Sequence, residues 1–299
     1  MSLHSQLGRR IGVMLDRDII PEELASFARK IDGSGADDVW IVEDLGWSGA
    51  ISAAAVVLAA THRVRVGIGI LPAAYRNPVL LAMELATLAR LHPGRLIVGI
   101  GHGVREWLEQ AGAVVPSPLA LLEETVVAVR SLLAGETVSL KGRAVSIDGV
   151  RLTHPPAVAP PLVTGVIRPR SLELSGRVAD GTIIIEGRRP QDLEDAKAHI
   201  GRGQAAACGT RPHELIAITH LYVDGDPTRV HEVTAPYAQE FAEFLEVDPG
   251  DVLMATGSAD AAAEVITSLW EGGAETVVLH PVGDDKWQAV RRVLSALGR

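Results

Sequence analysis

The sequence has little cysteine, few aromatic residues and no excess of positive charge. Its one cysteine, Cys208, excludes an intramolecular disulfide framework and is compatible with a reducing cytoplasm. Aromatic residues make up 4% of the 299 positions, and the formal net charge is −9. Nucleic acid binding needs a basic surface, so we expect no nucleic acid partner.

Long apolar runs and a secretory leader are also lacking. The first ten residues are polar, and apolar runs such as residues 53–60 are too short to cross a bilayer. These features predict a soluble, cytoplasmic protein without a membrane partner. Hydrophobic residues nevertheless make up 47% of the chain, which is enough for an extensive core of branched aliphatic side chains.

Short apolar runs alternate with longer amphipathic segments along the chain. Eight strand–helix units in this order predict a parallel sheet, and their number favours a single-domain α/β fold, a (β/α)8 TIM barrel over residues 8–299. A hairpin-like excursion over residues 136–152 predicts an insertion after strand 4. The predicted strands are residues 10–15, 39–42, 64–70, 95–100, 161–166, 182–185, 215–223 and 276–279.

Functional residues of such barrels lie at the C-terminal ends of the strands. A metal-dependent hydrolase of this fold typically ends its first strand with two histidines one residue apart, whereas here that strand ends Met14-Leu15-Asp16. The remaining histidines are scattered singly, so we predict no metal site. The polar residues at or near the C-terminal ends of the predicted strands are Asp16, Glu43, Asp44, His102, Glu186, His220 and His280.

Two strand ends are rich in glycine. Residues 67–70 read Gly-Ile-Gly-Ile, and residues 99–103 read Gly-Ile-Gly-His-Gly. Glycine inside a strand marks a bulge or a close backbone approach. Either these segments let the backbone approach a planar ring or a phosphate, or they are turns and kinks that only allow the barrel to close. The second segment does not match the dinucleotide pattern G-x-G-x-x-G.

These glycine segments also carry a resemblance. Together with residues 64–78 and 83–95, and with weaker matches at residues 123–136, 174–181, 255–258 and 272–274, they resemble the luciferase-like oxidoreductase superfamily, in particular its methylenetetrahydromethanopterin reductase-like branch. The matches run in order over nearly the whole chain. Members of this superfamily use FMN or the deazaflavin coenzyme F420, so the resemblance implies one of these coenzymes.

The resemblance further implies where the coenzyme lies. In deazaflavin-using relatives a cis non-proline peptide in strand 3 presses against the ring, which maps here onto the bond between Gly69 and Ile70. The coenzyme phosphate lies against the loops after strands 4 and 5. The implied coenzyme-binding residues are Gly69, Ile70, Gly101, His102, Gly103, Gly165, Val166, Ile167, Arg168 and Ser171.

Three residues are catalytic candidates. His102 is placed to contact the ring or to donate a proton. Glu43 and Asp44 are a candidate acid/base pair, although neighbouring strand residues point to opposite faces and only one of them can look into the barrel. The alternatives are a helix cap or a rim ion pair for the two acids and a loop-stabilising role for His102.

The sequence departs from its relatives at two places. Many deazaflavin relatives end strand 2 with Asp-His, where this chain has Glu43-Asp44. Sugar-phosphate dehydrogenase relatives carry a glutamate where this chain has Val104, so that activity is not expected. We expect an oxidoreductase that transfers a hydride between F420 or FMN and a small organic substrate. The alternatives are an FMN-dependent monooxygenase and a non-catalytic flavin-binding barrel, and a homodimer is expected because relatives often form dimers.

Overall fold

The structure is a computed structural model that describes residues 8–207 and 211–299, so Cys208 lies outside the described residues. Most of the described chain alternates between strands and helices. The strands are β1 (Arg10–Met14), β2 (Asp38–Ile41), β3 (Arg65–Pro72), β4 (Leu96–Gly101), β5 (Val138–Lys141), β6 (Ser146–Val150), β7 (Leu162–Gly165), β8 (Gly181–Ile184), β9 (Glu214–Val223), β10 (Ala255–Gly257) and β11 (Thr276–Pro281).

The helices follow the strands and lie around them. They are α1 (Leu24–Asp32), α2 (Ala50–Ala60), α3 (Pro78–Leu91), α4 (Arg105–Gln110), α5 (Pro118–Leu133), α6 (Pro169–Val178), α7 (Pro190–Ala205), α8 (Pro227–Leu245), α9 (Ala259–Glu271) and α10 (Lys286–Ala296). Proline at the first helical position begins several of them, where its missing N–H costs no hydrogen bond.

Eight parallel strands of the described chain close into a barrel. They follow the order β1, β2, β3, β4, β7, β8, β9 and β11, and β11 pairs with β1 to complete the circle. This confirms the predicted (β/α)8 barrel. The antiparallel hairpin of β5 and β6 lies in the excursion after β4, where the insertion was predicted. Two short elements, α4 and β10, were not predicted, and β10 lengthens the sheet beside the end of β9.

The interior of the barrel is filled by apolar side chains around Trp40, which is fully buried. Glycines of the adjacent strands leave room for its indole ring. A Cβ added to Gly67 would lie 2.5 Å from the ring, and one added to Gly12 would lie 2.6 Å from it. The first glycine of the Gly-Ile-Gly-Ile segment is therefore explained by packing against Trp40. The side chains that share this interior are Met14, Ile97, Val163, Ile183, Ile216, Ile218 and Val278.

A network of charges closes the N-terminal end of the barrel. Arg65 binds the buried carboxylate of Asp38 through two hydrogen bonds of 2.6 and 2.7 Å. The same guanidinium reaches Glu214 at 3.1 Å, and Glu214 also binds Arg10. These contacts join β1, β2, β3 and β9 at the end of the barrel opposite the predicted site.

No helix in residues 8–207 and 211–299 is long and apolar enough to cross a membrane.

Candidate active site

Strand β3 has a bulge at the C-terminal mouth of the barrel. Its pairing with β4 shifts register between Ile68 and Leu71, and the peptide bond between Gly69 and Ile70 is cis. The family resemblance implied both the position and the isomer of this bond. Ile70 is only partly buried and packs on the interior cluster around Trp40, so its side chain forms part of the floor of the mouth.

The glycines of the neighbouring strands make room for the side chain of Ile70. A Cβ added to Gly165 would lie 2.5 Å from Ile70 Cγ2, and one added to Gly101 would lie 3.0 Å from Ile70 Cδ1. The space beside these glycines is thus taken up by a protein side chain. Contact of Gly101 and Gly165 with a coenzyme stays a prediction, but the surface that these strands offer to a ring is Ile70.

His102 and Ser171 join the loops after β4 and β7. His102 Nε2 lies 3.1 Å from the Ser171 hydroxyl, while His102 Nδ1 is buried without a hydrogen-bond partner among the described residues. Burial lowers the pKa of His102, which keeps its ring neutral at pH 7. Gly103 follows with a φ of +76°, a left-handed conformation that suits glycine. The two predicted residues therefore lie together, with one polar atom left to satisfy.

The segment between β7 and α6 follows the mouth directly. Val166 is buried, Ile167 is half-buried, and Arg168 is exposed. Arg168 forms a surface ion pair of 3.2 Å with Glu246, and exposed pairs of this kind contribute about 0–1 kcal/mol. Among the described side chains none caps the N-terminus of α6, so its first N–H groups remain available for an anion.

The two predicted acids that follow β2 lie in different surroundings. Glu43 is nearly buried and binds Arg76 through both oxygens, at 2.5 and 2.6 Å, and also accepts from the Ala50 N–H. Asp44 instead pairs with Arg17 at 3.0 Å. Burial raises the pKa of Asp44, while Arg17 and then His280 lower it, and the net shift is upward. The charge of His280 acts on Asp44, so these two residues lie on the same side of the barrel. The contacts of Glu43 favour a structural ion pair. Catalytic roles for Glu43 and Asp44 stay predictions.

A cluster of Glu186, His220 and His280 lies at the same mouth. His280 Nδ1 lies 2.8 Å from Glu186 Oε1. The rings of His220 and His280 stack, with centroids 4.9 Å apart and planes at 23°. The three residues appeared among the strand ends in the sequence but were not singled out. The feature that reveals the cluster is the register of β9 and β11, in which His220 is the direct partner of His280.

The charges of this cluster shift its pKa values in opposite directions. Burial alone would lower the pKa of His280, but the hydrogen bond and charge of Glu186 outweigh burial, and the pKa is raised. Burial lowers the pKa of His220 to about 4. Burial would raise the pKa of Glu186, but the bond to His280 lowers it. At neutral pH the cluster is therefore an ionised glutamate beside a histidine that readily holds a proton, with a neutral histidine behind it.

The spacing of the cluster raises the question of a metal. Ligand atoms of Glu186, His220 and His280 lie within 4.8 Å of one another. Two imidazoles that bind one ion must aim their in-plane lone pairs at the same point. The rings of His220 and His280 are stacked and nearly parallel, so their lone pairs lie in separate, nearly parallel planes and do not converge on one ion. Because Glu186 Oε1 already bonds to His280, the geometry favours a hydrogen-bonded pair. The absence of a metal site stays a prediction.

Comparison with known proteins gives the same family over most of the chain. The family model for luciferase-like monooxygenases matches residues 1–290. The chain is 27% identical to 5,10-methylenetetrahydromethanopterin reductase of Archaeoglobus fulgidus, over 95% of this chain and 97% of the relative. It is 29% identical to an F420-dependent glucose-6-phosphate dehydrogenase of Nakamurella multipartita, over 70% of this chain and 65% of the relative.

Solved structures with the same fold include proteins that use either coenzyme. An F420-dependent secondary alcohol dehydrogenase, in complex with an F420–acetone adduct, superposes with a TM-score of 0.85 at 21% identity, over 96% of this chain and 98% of the other. The oxygenating constituent of 3,6-diketocamphane monooxygenase of Pseudomonas putida, in complex with FMN, gives a TM-score of 0.76 at 15% identity, over 97% of both chains.

Proposed function

This chain belongs to the luciferase-like monooxygenase family, and from that premise we propose that it is an oxidoreductase that holds F420 or FMN at the mouth of its barrel. The bound coenzyme would supply the hydride chemistry. The protein would orient the ring, exclude water and select the substrate. The observation that carries the proposal is the β3 bulge at Gly69 and Ile70, which puts an apolar side chain on the floor of the mouth.

The residues around this floor fit such a coenzyme. The ring would rest on Ile70, for which Gly101 and Gly165 make room. The phosphate would lie at the first turn of α6, where the N–H groups and the positive end of the helix dipole favour an anion. The hydroxyl of Ser171 belongs to this turn and lies 3.1 Å from His102 Nε2. Ser171, His102 and Gly103 would complete the phosphate site.

We propose F420 ahead of FMN as the coenzyme. The support comes from sequence relatives, since the glucose-6-phosphate dehydrogenase to which this chain is 29% identical is F420-dependent. The FMN-bound monooxygenase shares the fold at 15% identity, which makes FMN the second candidate. Oxidation of a sugar phosphate is not proposed, because Val104 has no ionisable group where those relatives carry a glutamate.

The test is a fluorescence titration of the purified protein with F420 and, separately, with FMN. We expect each protein chain to bind one molecule of coenzyme, and the fluorescence of the coenzyme to fall when it binds. Ser171→Ala should weaken binding about 10- to 150-fold, because a hydrogen bond to a charged group is worth about 1.5–3 kcal/mol and each 1.4 kcal/mol is a factor of ten. Ser295→Ala, at an exposed position near the far end of α10, is the matched control and should bind normally. Failure to bind either coenzyme would contradict the proposal.

A further inference from the structure

We propose that His280, held by Glu186 and stacked on His220, exchanges a proton with the oxygen of a neutral aldehyde or ketone, or of the corresponding alcohol. This inference rests on the proposed oxidoreductase function and extends it to a substrate class and to a second side of the mouth. The site is built by the ends of β8, β9 and β11, away from the phosphate residues after β4 and β7.

The hydrogen bond to Glu186 fixes the orientation of the His280 ring. Because Nδ1 donates to the carboxylate at 2.8 Å, Nε2 is the nitrogen that remains for a substrate. Within residues 8–207 and 211–299, Nε2 makes no hydrogen bond and is not among the buried polar atoms that lack a partner. The side chain is 22% exposed, whereas that of Glu186 is 8% exposed. A buried carboxylate thus orients a histidine whose free nitrogen reaches solvent, which is the arrangement that a general acid needs.

His220 restricts the movement of this ring from behind. It is 1% exposed, stacks on His280 and is itself held edge-on by Phe241, with centroids 4.9 Å apart, and tilted against Tyr237 at 5.2 Å. Because burial keeps the pKa of His220 at about 4, His220 is neutral at pH 7. It therefore does not repel a proton on His280, and it stays in place through the reaction.

The charges around His280 are balanced when His280 carries a proton. Among the described residues at this side of the mouth, three carboxylates face two cations, so a protonated His280 supplies the third positive charge. These carboxylates would repel an anionic substrate, whereas a neutral carbonyl compound carries no net charge for them to repel. The groups that face His280 are Glu186 after β8, His220 of β9, Asp16 after β1 with Lys286 of α10, and Asp44 after β2 with Arg17.

Two other predicted acid/base residues at the mouth, His102 and Asp44, are engaged in contacts of their own. His102 is neutral, and its Nε2 bonds to Ser171 on the opposite side. Asp44 is paired with Arg17. An ionised carboxylate can accept a proton but has none to give. His280 differs from both residues because its Nε2 reaches solvent and makes no hydrogen bond among the described residues.

The proposed step accounts for both the hydride and the proton that carbonyl reduction takes up. Reduction of a C=O group to an alcohol takes up a hydride at carbon, which a reduced deazaflavin or flavin supplies, and one proton at oxygen. The Nε2–H bond of protonated His280 breaks as the O–H bond of the alcohol forms, which leaves the ring neutral and still bonded to Glu186. Water then returns a proton to Nε2. Alcohol oxidation runs the same transfer backwards.

The first test is a histidine NMR titration of the full chain without substrate. His280 signals are assigned by their loss in His280→Gln. We expect His280 to titrate above the ordinary histidine value of about 6.5 and Glu186→Gln to lower that pKa by about one unit or more. His154→Gln, in the exposed loop before β7, is the control and should leave the titration unchanged. A His280 pKa below 6.5, or one unmoved by Glu186→Gln, would overturn the proposal.

The second test measures oxidation of the reduced coenzyme bound to the protein by a panel of simple aldehydes and ketones. We expect the wild-type rate to fall above the His280 pKa, and Glu186→Gln to move that fall to lower pH by the amount seen by NMR. His280→Gln should slow the reaction at least about 100-fold, the usual lower bound for a general acid, with coenzyme affinity unchanged.

Three further results would contradict the proposal for His280. Two come from the rate measurement, and they are an unchanged rate in His280→Gln and no reaction of the loaded wild type with any panel compound. The third is the finding, by metal analysis of the purified protein, of one bound metal ion per chain that is lost in His280→Gln. Failure of the proposed function has a different signature, because the wild type would then bind neither coenzyme while the NMR titration still reports the Glu186–His280 pair.

Discussion

The packing of Ile70 against Gly165 predicts that Gly165→Ala destabilises the protein and that Ile70→Ala relieves the clash that causes this. In Gly165→Ala the new methyl group would lie 2.5 Å from Ile70 Cγ2, with the next atoms of Ile70 at 3.6 and 3.7 Å. The clash is therefore with one methyl branch. Ile70 has little room to turn, since a β-branched side chain is stiff at χ1. Overpacking of this kind costs about 1–3 kcal/mol, so we expect Gly165→Ala to lower the free energy of unfolding by that amount.

The second mutation is Ile70→Ala, which removes the atoms that clash. Alone it should destabilise the protein, because it leaves a gap at the floor of the mouth. In the double variant the new methyl group of residue 165 lies in that gap, so the two effects should not add. We expect a coupling free energy of about 1–3 kcal/mol in favour of the double variant, well above the error of about 0.5 kcal/mol within which independent mutations add.

The assay is urea unfolding of the wild type, both single variants and the double variant, together with coenzyme affinity. Gly201→Ala, at an exposed position of α7 with no atom within 4 Å of the added methyl, is the control for a glycine-to-alanine change. The single variant Gly165→Ala should also bind coenzyme more weakly, because it displaces the Ile70 floor. If the changes in the free energy of unfolding of the two single variants simply add in the double variant, then Gly165 is not needed to make room for Ile70.

Three further changes test the packing and charges of the fold by urea unfolding. Arg65→Met should cost about 3–5 kcal/mol, because it leaves the fully buried carboxylate of Asp38 without its partner, and a cost below 1 kcal/mol would contradict this. Between pH 6.5 and 4 the unfolded chain binds a proton at His220 that the folded protein, with a pKa of about 4 there, does not bind. The wild type should therefore lose about 3 kcal/mol more on acidification from pH 7.5 to 4 than His220→Phe, and equal losses would refute the pKa argument. Gly203→Ala should destabilise by about 1–3 kcal/mol, because its methyl would overlap a backbone carbonyl of α6, whereas Gly201→Ala on the same helix should be neutral or stabilising.

Local sequence signals predicted the barrel well. The predicted strands over residues 10–15 and 276–279 begin at the same residues as β1 and β11, because the apolar runs of the sequence lie there. The six residues of α4 and the three of β10 are too short for a periodic pattern, so they were missed. Closure of the sheet followed from the number of units.

The site was predicted less completely, for a physical reason. A glycine in a sequence shows where a side chain is missing but not which neighbour uses the space, so the packing of Ile70 against Gly165 was not foreseen. Adjacent acids predict only that one faces inward, and the sequence does not show that Glu43 pairs with Arg76 while Asp44 pairs with Arg17. The pairing of His220 with His280 depends on the register between two strands that lie far apart in the sequence.

The most direct measurement is a crystal structure of the chain soaked with F420 or FMN. The proposed function predicts the ring at the mouth with one face on Ile70 and the phosphate at the first turn of α6, within hydrogen-bond distance of Ser171. A ring held elsewhere on the molecule, or a mouth into which neither coenzyme enters, would contradict it.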